Sequence, residues 1–479
     1  MMNFISFILN DKLMEIDFGK TGLSPTMTLL QFLRSFPEYR GVKEGCREGD
    51  CGACTVVIGF PYDAKIKYKA IDSCMVFLPM VHGKQVITTE FLENKNGRLH
   101  PVQKSMIEAY GSQCGYCTPG ITMALFSIYK NKVNNEKEII KDLAGNLCRC
   151  TGYQSILEAA KNVTQNIIPD HFDMSEKDVI EKLNKINCID SIEIHTKNQV
   201  YIKVFSLKDV LNYKEQYGDA IVISGNTDVG LRVNKRNELL PLILDISDVS
   251  EMEFIKIGEK FITIGANTKI EEIKDKFKNI IPEFSELLSY FGSRQIRNIA
   301  TIGGNIGSAS PIGDMLPALY VLNAQLLIKN FKLSGGFQIE QFILGYREVC
   351  LDKEDIIYKI EIPVPDINTK LKFYKISKRK ELDISTVSGS FSLKLKDKII
   401  VDKIRIAYGG MAATPKRAVQ TEKYLKNKEW TKVNIISAQN ILEQEFQPIS
   451  DVRAESEFRM LAAKNLLLKF FIETKGNEK

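Results

Sequence analysis

Residues 45–56 read GCREGDCGACTV, with three cysteines inside nine positions. Cys46, Cys51 and Cys54 stand in C-x4-C-x2-C spacing, and Cys74 follows nineteen residues later. Four thiolates so spaced match the plant-type [2Fe–2S] pattern. A thiolate-held cluster is anionic, so its loop must bring backbone N–H groups near the sulfurs. Gly45, Gly49, Gly52 and Ala53 permit that approach because they carry little or no side chain. A zinc site more often shows two matched C-x2-C pairs. A second set, Cys114-x2-Cys117 and Cys148-x-Cys150, lies in QCGYCTPG and LCRCTGY. Read alone, it is open between zinc and iron–sulfur. Each pair precedes an expected helix start, at Pro119 and Thr151, where thiolates are favoured. Cys188 and Cys350 stand apart and read as small buried hydrophobes.

The elements around these residues follow from periodicity and caps. Two short alternating runs flank Asn10-Asp11, and TLLQFLRSF is a helix with Thr28 as N-cap and Gln31 completing a capping box. From about Arg98 the texture is helical. Pro101 and Pro119 sit in first turns, and Ile121, Leu125 and Ile128 share a face. NNEKEIIKDLAG closes at Gly145, and TGYQSILEAAKNV is capped by Thr151. PDHFDMSEKD (169–178) reads as a linker, after which strands and helices alternate to IEIPVP (360–365). Strands, then helices, fill the remainder.

The 479 residues imply several domains. A net charge of +6 from 65 basic and 59 acidic residues is too mild and too mixed for nucleic-acid binding. No run of eighteen apolar residues suggests a membrane span, and the N-terminus lacks the positive region of a signal peptide. The expected setting is cytoplasmic, where clustered cysteines indicate metal or catalysis and not disulfides.

Two glycine-bearing turns, VISGNTDVG (222–230) and NIATIGGNIGSASPIGD (298–314), are phosphate-loop candidates beside the alternative of ordinary tight turns. Neither has G-x-G-x-x-G spacing, so a Rossmann site is not supported.

The three cysteine motifs together resemble the iron–sulfur portion of the molybdenum hydroxylase family, and the resemblance runs through nearly the whole chain. It implies a multidomain α+β protein. A β-grasp [2Fe–2S] ferredoxin domain (1–88) and a helical-bundle [2Fe–2S] domain (89–168) precede a linker (169–190). A vanillyl-alcohol-oxidase/PCMH-type FAD domain (191–366) and an α/β C-terminal domain like that of CO-dehydrogenase flavoproteins (367–479) follow. It assigns one cluster to Cys46, Cys51, Cys54 and Cys74, and the other to Cys114, Cys117, Cys148 and Cys150. Gln113 would contact a molybdopterin on a partner.

For FAD the resemblance implies Val222, Ile223, Ser224, Gly225, Asn226, Thr227, Asp228 and Val229 around the diphosphate and ribityl. Phe291 would lie over the isoalloxazine, and Thr301, Ile302, Gly303, Gly304 and Asn305 would form a second phosphate loop. Asp314 would meet the adenosine end, Ile357 would line the ring pocket, and Lys375 would lie near the flavin. Ser377 to Ile384 corresponds to a loop that influences NAD⁺ access. Asp228 is shorter than the glutamate usual in animal members.

The implied role is an electron-transfer subunit serving a purine hydroxylase. Electrons would pass from molybdenum on a large partner subunit through the second cluster and then the first to FAD and NAD⁺, in a dimer of heterodimers. No residue of this chain would do chemistry on the purine. The alternatives are the equivalent subunit of an aldehyde, carbon monoxide or N-heterocycle hydroxylase, and a standalone ferredoxin–flavin reductase.

Overall fold

A computed structural model describes residues 3–94, 96–186, 188–332 and 334–475. Met1 and Met2 of the expected first strand and Asn187 of the expected linker lie outside them. Two compact units form: residues 1–250 with 292–300, and residues 251–291 with 301–479. The expected flavin segment, 191–366, contributes to both.

In the first unit, Phe4–Leu9 and Lys12–Asp17 make a hairpin turned at Asn10, whose φ is 61°. The sheet runs Lys12–Asp17, Phe4–Leu9, Gln85–Ile87, Thr55–Tyr62, Lys65–Asp72, with Phe4–Leu9 and Gln85–Ile87 parallel. This is a β-grasp sheet. The helix Leu29–Arg34 carries the expected capping box of Thr28 and Gln31. Side chains alternate across the strands. Ile5, Phe7, Leu9, Val56 and Ile58 face one core with Leu29, Leu30 and Leu33, while Ile8 and Val57 face Phe126 and Phe172. Both faces are therefore covered.

The covering helices are Pro101–Glu108, Thr118–Lys130, Glu136–Leu143 and Gln154–Gln165, packed around Leu125, Ile128 and Ile156. The helix Thr118–Lys130 is buried all round from Gly120 to Tyr129, not only on the expected face, because sheet and bundle sandwich it. Residues 169–178, read as linker, instead start a helix, His171–Asn184. Asp170 caps it in a capping box with Asp173, and Phe172 inserts among Tyr68, Phe91 and Phe126. The polar look of PDHFDMSEKD reflects a capping sequence with one solvated face.

A small mixed sheet completes the unit, ordered Ile192–His195, Val200–Lys203, Leu242–Asp245, Ile221–Ile223, the last three strands being parallel. Buried Lys203 bonds Asp245 at 3.0 Å and pairs with Asp248 at 2.7 Å, and Lys84 of the β-grasp domain donates to the same Asp248. A buried charge network thus fastens this sheet to the ferredoxin domain.

In the second unit, five antiparallel strands run Ile255–Ile257, Phe261–Gly265, Ile356–Pro363, Gln325–Lys329, Ser334–Gln338. A second antiparallel sheet has Lys370–Ile376, Val387–Lys396 and Ile400–Gly409 as its long strands. The helices Val419–Leu425, Lys432–Glu445 and Ser456–Thr474 pack on it around Phe391, Tyr408 and Phe470.

Asp170 tests the packing of the helical layers. Its carboxylate meets His100 Nε2 at 3.0 Å and Lys130 Nζ at 3.1 Å. Burial alone would raise its pKa; the His100 bond and the Lys130 ammonium overcome that and hold it well below the usual carboxylate range. The ionised form therefore stabilises the fold fully above the ordinary aspartate pKa of about 3.9, and the contribution is lost as pH falls below that value. Asp170→Asn keeps a capping oxygen but removes the charge that His100 and Lys130 share, Lys130 keeping Asp173 at 2.6 Å. It is expected to cost about 2 kcal/mol, read as a roughly thirtyfold loss of hydrogen-exchange protection in His171–Asn184 at neutral pH that narrows below pH 4.

Candidate iron–sulfur and flavin sites

Cys46 Sγ accepts N–H bonds from Glu48 (3.4 Å), Asp50 (3.4 Å) and Cys51 (3.3 Å). The turn aims those amides inward through positive φ at Arg47, Gly49 and Gly52. Two glycines are required by space as well: a Cβ on Gly45 would lie 2.7 Å from Cys51 Sγ, and one on Gly52 would lie 2.2 Å from the Gly145 carbonyl. Cys51's thiol, against burial and together with the three amides, lowers Cys46 to about 5, while Cys51 itself is raised. Cys54 and Cys74 are buried and form a second contact pair, in which the Cys74 partner and burial push Cys54 up. Ser73 Oγ holds the Cys54 carbonyl at 2.7 Å.

The second set divides in the same way. Cys117, the N-cap of Thr118–Lys130, pairs with Cys148, and Cys114 pairs with Cys150. Burial, then Cys148, pushes Cys117 up to about 12. Cys148 lies low despite burial because Thr151 Oγ1 sits 3.1 Å from its sulfur, and its amide donates to Tyr153 Oη at 2.8 Å. Thr151 is therefore not the helix cap expected of it. Gly152 and Tyr153 take positive φ, and the helix starts at Gln154.

Pairing is the chemical content of this arrangement. A [2Fe–2S] cluster gives each iron two thiolates, and the cysteines fall into 46/51 with 54/74 and 117/148 with 114/150. Donor type, inward amides and the glycine approach thus fit a two-iron cluster at the first set, and donor type and pairing fit one at the second.

The sets differ in exposure. Cys54 and Cys74 are buried, whereas Cys114 and Cys150 are exposed, as is neighbouring Gln113. Ile107, Tyr110, Tyr116 and Leu147, on the same segments, are also exposed. The two loops nevertheless touch. Leu147 N donates to Cys51 O at 3.0 Å, Asn146 Nδ2 to Gly52 O at 2.9 Å, and Tyr116 Oη to Glu44 O.

In the first unit, the loop Val222–Val229 leaves the strand Ile221–Ile223 and enters the helix Val229–Arg236. A Cβ on Gly225 would lie 2.2 Å from Ile299 O, and Asn226 turns the chain with φ 59°. Asn226 Nδ2 donates to Met75 O at 3.0 Å, while its buried Oδ1 has no hydrogen-bond partner among the described residues. Asp228 occupies the N-cap without a side-chain cap bond. A helix N-terminus presented by a turn without bulk suits a diphosphate.

In the second unit, Thr301 caps the helix Ile302–Ser308, accepting from Gly304 N at 3.1 Å. The turn expected at Thr301–Asn305 is thus a helical first turn. Gly303 permits it: its amide donates to Ala266 O at 2.9 Å, and a Cβ there would lie 2.7 Å from Ala266 Cβ. Asn305 Oδ1 is buried without a hydrogen-bond partner among the described residues. Ile357 is buried, its Cδ1 3.6 Å from where a Cβ on Gly307 would stand, and Phe291 is part-buried.

Asp314 and Lys375, expected at opposite ends of the cofactor, are bonded to each other at 2.8 Å. Ser385 Oγ also donates to Asp314, and Lys375 Nζ donates to Tyr290 O at 2.9 Å. The following loop, Ser377 to Ile384, is tied by Arg379 N to Asp383 Oδ2 at 3.1 Å.

Cys188 is exposed and Cys350 only part-buried, contrary to the expectation for both. Each lies in irregular backbone at an element end, where no core is available. The sequence reading missed Asn146, Asn234, Lys235 and Gln295. Only their nearness to cysteine or glycine motifs could have drawn attention to them.

Three domain families match the chain: "[2Fe-2S] binding domain" over residues 88–161, "FAD binding domain in molybdopterin dehydrogenase" over 193–365, and "CO dehydrogenase flavoprotein C-terminal domain" over 372–474. Among curated relatives, xanthine dehydrogenase 1 of Arabidopsis thaliana is 30% identical, over 94% of this chain and 38% of that protein. Xanthine dehydrogenase/oxidase of Gallus gallus is 29% identical, over 98% of this chain and 40% of that protein. The chain thus spans well under half the length of these relatives. A solved structure of Hydrogenophaga pseudoflava carbon monoxide dehydrogenase, lacking the Mo-pyranopterin moiety of its cofactor, superposes with a TM-score of 0.55 at 20% identity. That match covers 59% of this chain and all of the other and speaks to fold alone. Among the described residues no helix is long and apolar enough to cross a membrane.

Two clusters require about four iron atoms per chain. Cys54→Ser is expected to abolish one of two distinguishable [2Fe–2S] paramagnetic signals, and Cys117→Ser the other. Gly52→Ala is expected to reduce iron content by about half by pushing the first loop off Gly145.

Proposed function

We propose, on the premise that this chain carries the iron–sulfur, FAD-binding and flavoprotein C-terminal domains of a molybdenum hydroxylase, that it is the electron-transfer subunit of a xanthine dehydrogenase. The observation that carries the direction of transfer is the unequal exposure of the cysteine sets. Cys114 and Cys150 open to solvent, with Ile107, Tyr110, Tyr116 and Leu147 exposed on the same segments, while Cys54 and Cys74 are enclosed. Exposed apolar side chains around a polar centre mark a docking face. Electrons enter there, from a molybdopterin-bearing large subunit that Gln113 faces on docking.

When bound, the clusters supply one-electron carriers and FAD the two-electron exchange with NAD⁺. The chain's residues set the conditions. Inward amides at Cys46 stabilise anionic sulfur, and the Leu147–Cys51 bond keeps the loops in contact. Val222–Val229 and Thr301–Asn305 are the phosphate loops for FAD. Lys375 fixes the Tyr290 carbonyl next to Phe291 and neutralises Asp314. No side chain of this chain acts as acid or base on the purine.

The relatives named xanthine dehydrogenase support the substrate class. In anaerobic titration, NADH is expected to bleach flavin and cluster absorption of the purified chain, whereas xanthine does so only with the large subunit present. Reduction by an aldehyde and not xanthine in that complex would move the assignment to another hydroxylase. Failure to associate with any molybdopterin subunit would favour a standalone reductase.

A further inference from the structure

The helix Val229–Arg236 begins at the proposed flavin loop and ends on the first cysteine loop. In its last turn, buried Asn234 donates through Nδ2 to Cys74 O at 2.6 Å. Lys235 Nζ donates to Cys46 O at 3.0 Å and pairs with Glu48 at 2.9 Å. At the entry to the helix, Asn226 Nδ2 donates to Met75 O at 3.0 Å, and Gly230 lies against Met75. Asn226, two residues before the N-cap, and Asn234, in the last turn, reach the carbonyls of consecutive residues, Met75 and Cys74. With Lys235, the same helix holds one ligand residue from each thiol pair, Cys46 of 46/51 and Cys74 of 54/74.

The capped groups are peptide carbonyls of ligand residues, not the sulfurs. A carbonyl oxygen turned toward a thiolate-bound cluster would add negative potential where electrons must arrive. Donors that hold it outward remove that penalty, and an ammonium beside Cys46 O adds positive potential directly. At the second set the nearest cation in the chain is the exposed Arg149, between Cys148 and Cys150, whereas Lys235 reaches the first loop from a separate helix.

We propose that Asn234 and Lys235 are positioning residues that raise the reduction potential of the first cluster, and that the helix Val229–Arg236 mechanically couples this cluster to the flavin loop. The inference rests on the cluster and FAD assignments made above. It adds an account of why electrons collect on the flavin side.

The test is a redox titration of the purified full chain, followed by paramagnetic resonance with the two cluster signals assigned through Cys54→Ser and Cys117→Ser. Lys235→Met is expected to lower the reduced-to-oxidised ratio of the first cluster about tenfold at fixed potential, about 59 mV for a one-electron couple, and to leave the second unchanged. Lys235→Arg restores most of the shift. Asn234→Leu is expected to lower the same potential and to raise the fraction of FAD lost on gel filtration. If Asn234→Leu does not fold, Lys235→Met, at a half-exposed side chain, still decides the matter. An unmoved first-cluster potential in Lys235→Met, with both signals intact, overturns the proposal and leaves the cluster assignments standing. Absence of both signals from the iron-loaded parent chain overturns those assignments as well.

Discussion

The first unit depends on a contact in which side chains are absent. The Gly52 peptide lies against Gly120 and Gly145: a Cβ on Gly120 would lie 2.3 Å from Gly52 O, and one on Gly52 would lie 2.2 Å from Gly145 O. Backbone meets backbone between the β-grasp domain and the helical domain. Asn146 seals the contact by donating to Gly52 O and Thr55 Oγ1. Only with these planes in contact can Leu147 N reach Cys51 O. A route of covalent bonds and one hydrogen bond then joins a ligand of one cysteine set to a ligand of the other, Cys51 to Cys148. One added methyl group would separate the loops by more than a hydrogen bond tolerates.

That lock is reinforced from a distant part of the sequence. Residues 292–300 join the first unit although the stretches on either side belong to the second. Gln295 Nε2 donates to Asn146 Oδ1 at 2.7 Å, Arg294 pairs with Asp142, and Asn298 Nδ2 donates to Ala70 O at 2.7 Å. A Cβ on Gly145 would lie 2.3 Å from Gln295 Oε1, so the glycine serves this contact as well as the Gly52 peptide. The flavin segment thus supplies a clamp on the junction of the two cysteine domains. Phe291 and Thr301, both assigned to FAD, flank that clamp in the chain.

What could be read from sequence was whatever a local pattern encodes. The Thr28–Gln31 capping box and the first-turn Pro101 each need only a few adjacent residues, and each stands where expected. Errors arose where a local pattern had two readings. Thr151 has the composition of an N-cap, but its hydroxyl sits beside the Cys148 sulfur, so the helix starts later. PDHFDMSEKD has the composition of a linker and of a capped amphipathic helix, and the aromatic cluster around Phe172 selects the second. The bond between Asp314 and Lys375 spans 61 positions and that between Asn234 and Cys74 spans 160. No periodicity registers such pairs, because burial by tertiary packing brings them together.

Burial also explains why polar residues, and not apolar packing, govern the first cysteine loop. Asp72 is fully buried beside Cys54, and burial, then the Cys46 thiolate, raises it to about 7. An enclosed site already holding sulfur charge penalises each further negative group, so positive groups and outward-held dipoles carry more weight there than at an exposed site. At the second set only the Cys114/Cys150 pair is exposed, and there water screens the charge. The same sulfur chemistry in two environments within one rigid unit therefore yields two unequal sites. The inequality follows from solvent access and from the reach of one helix, Val229–Arg236, and requires no difference in ligand type.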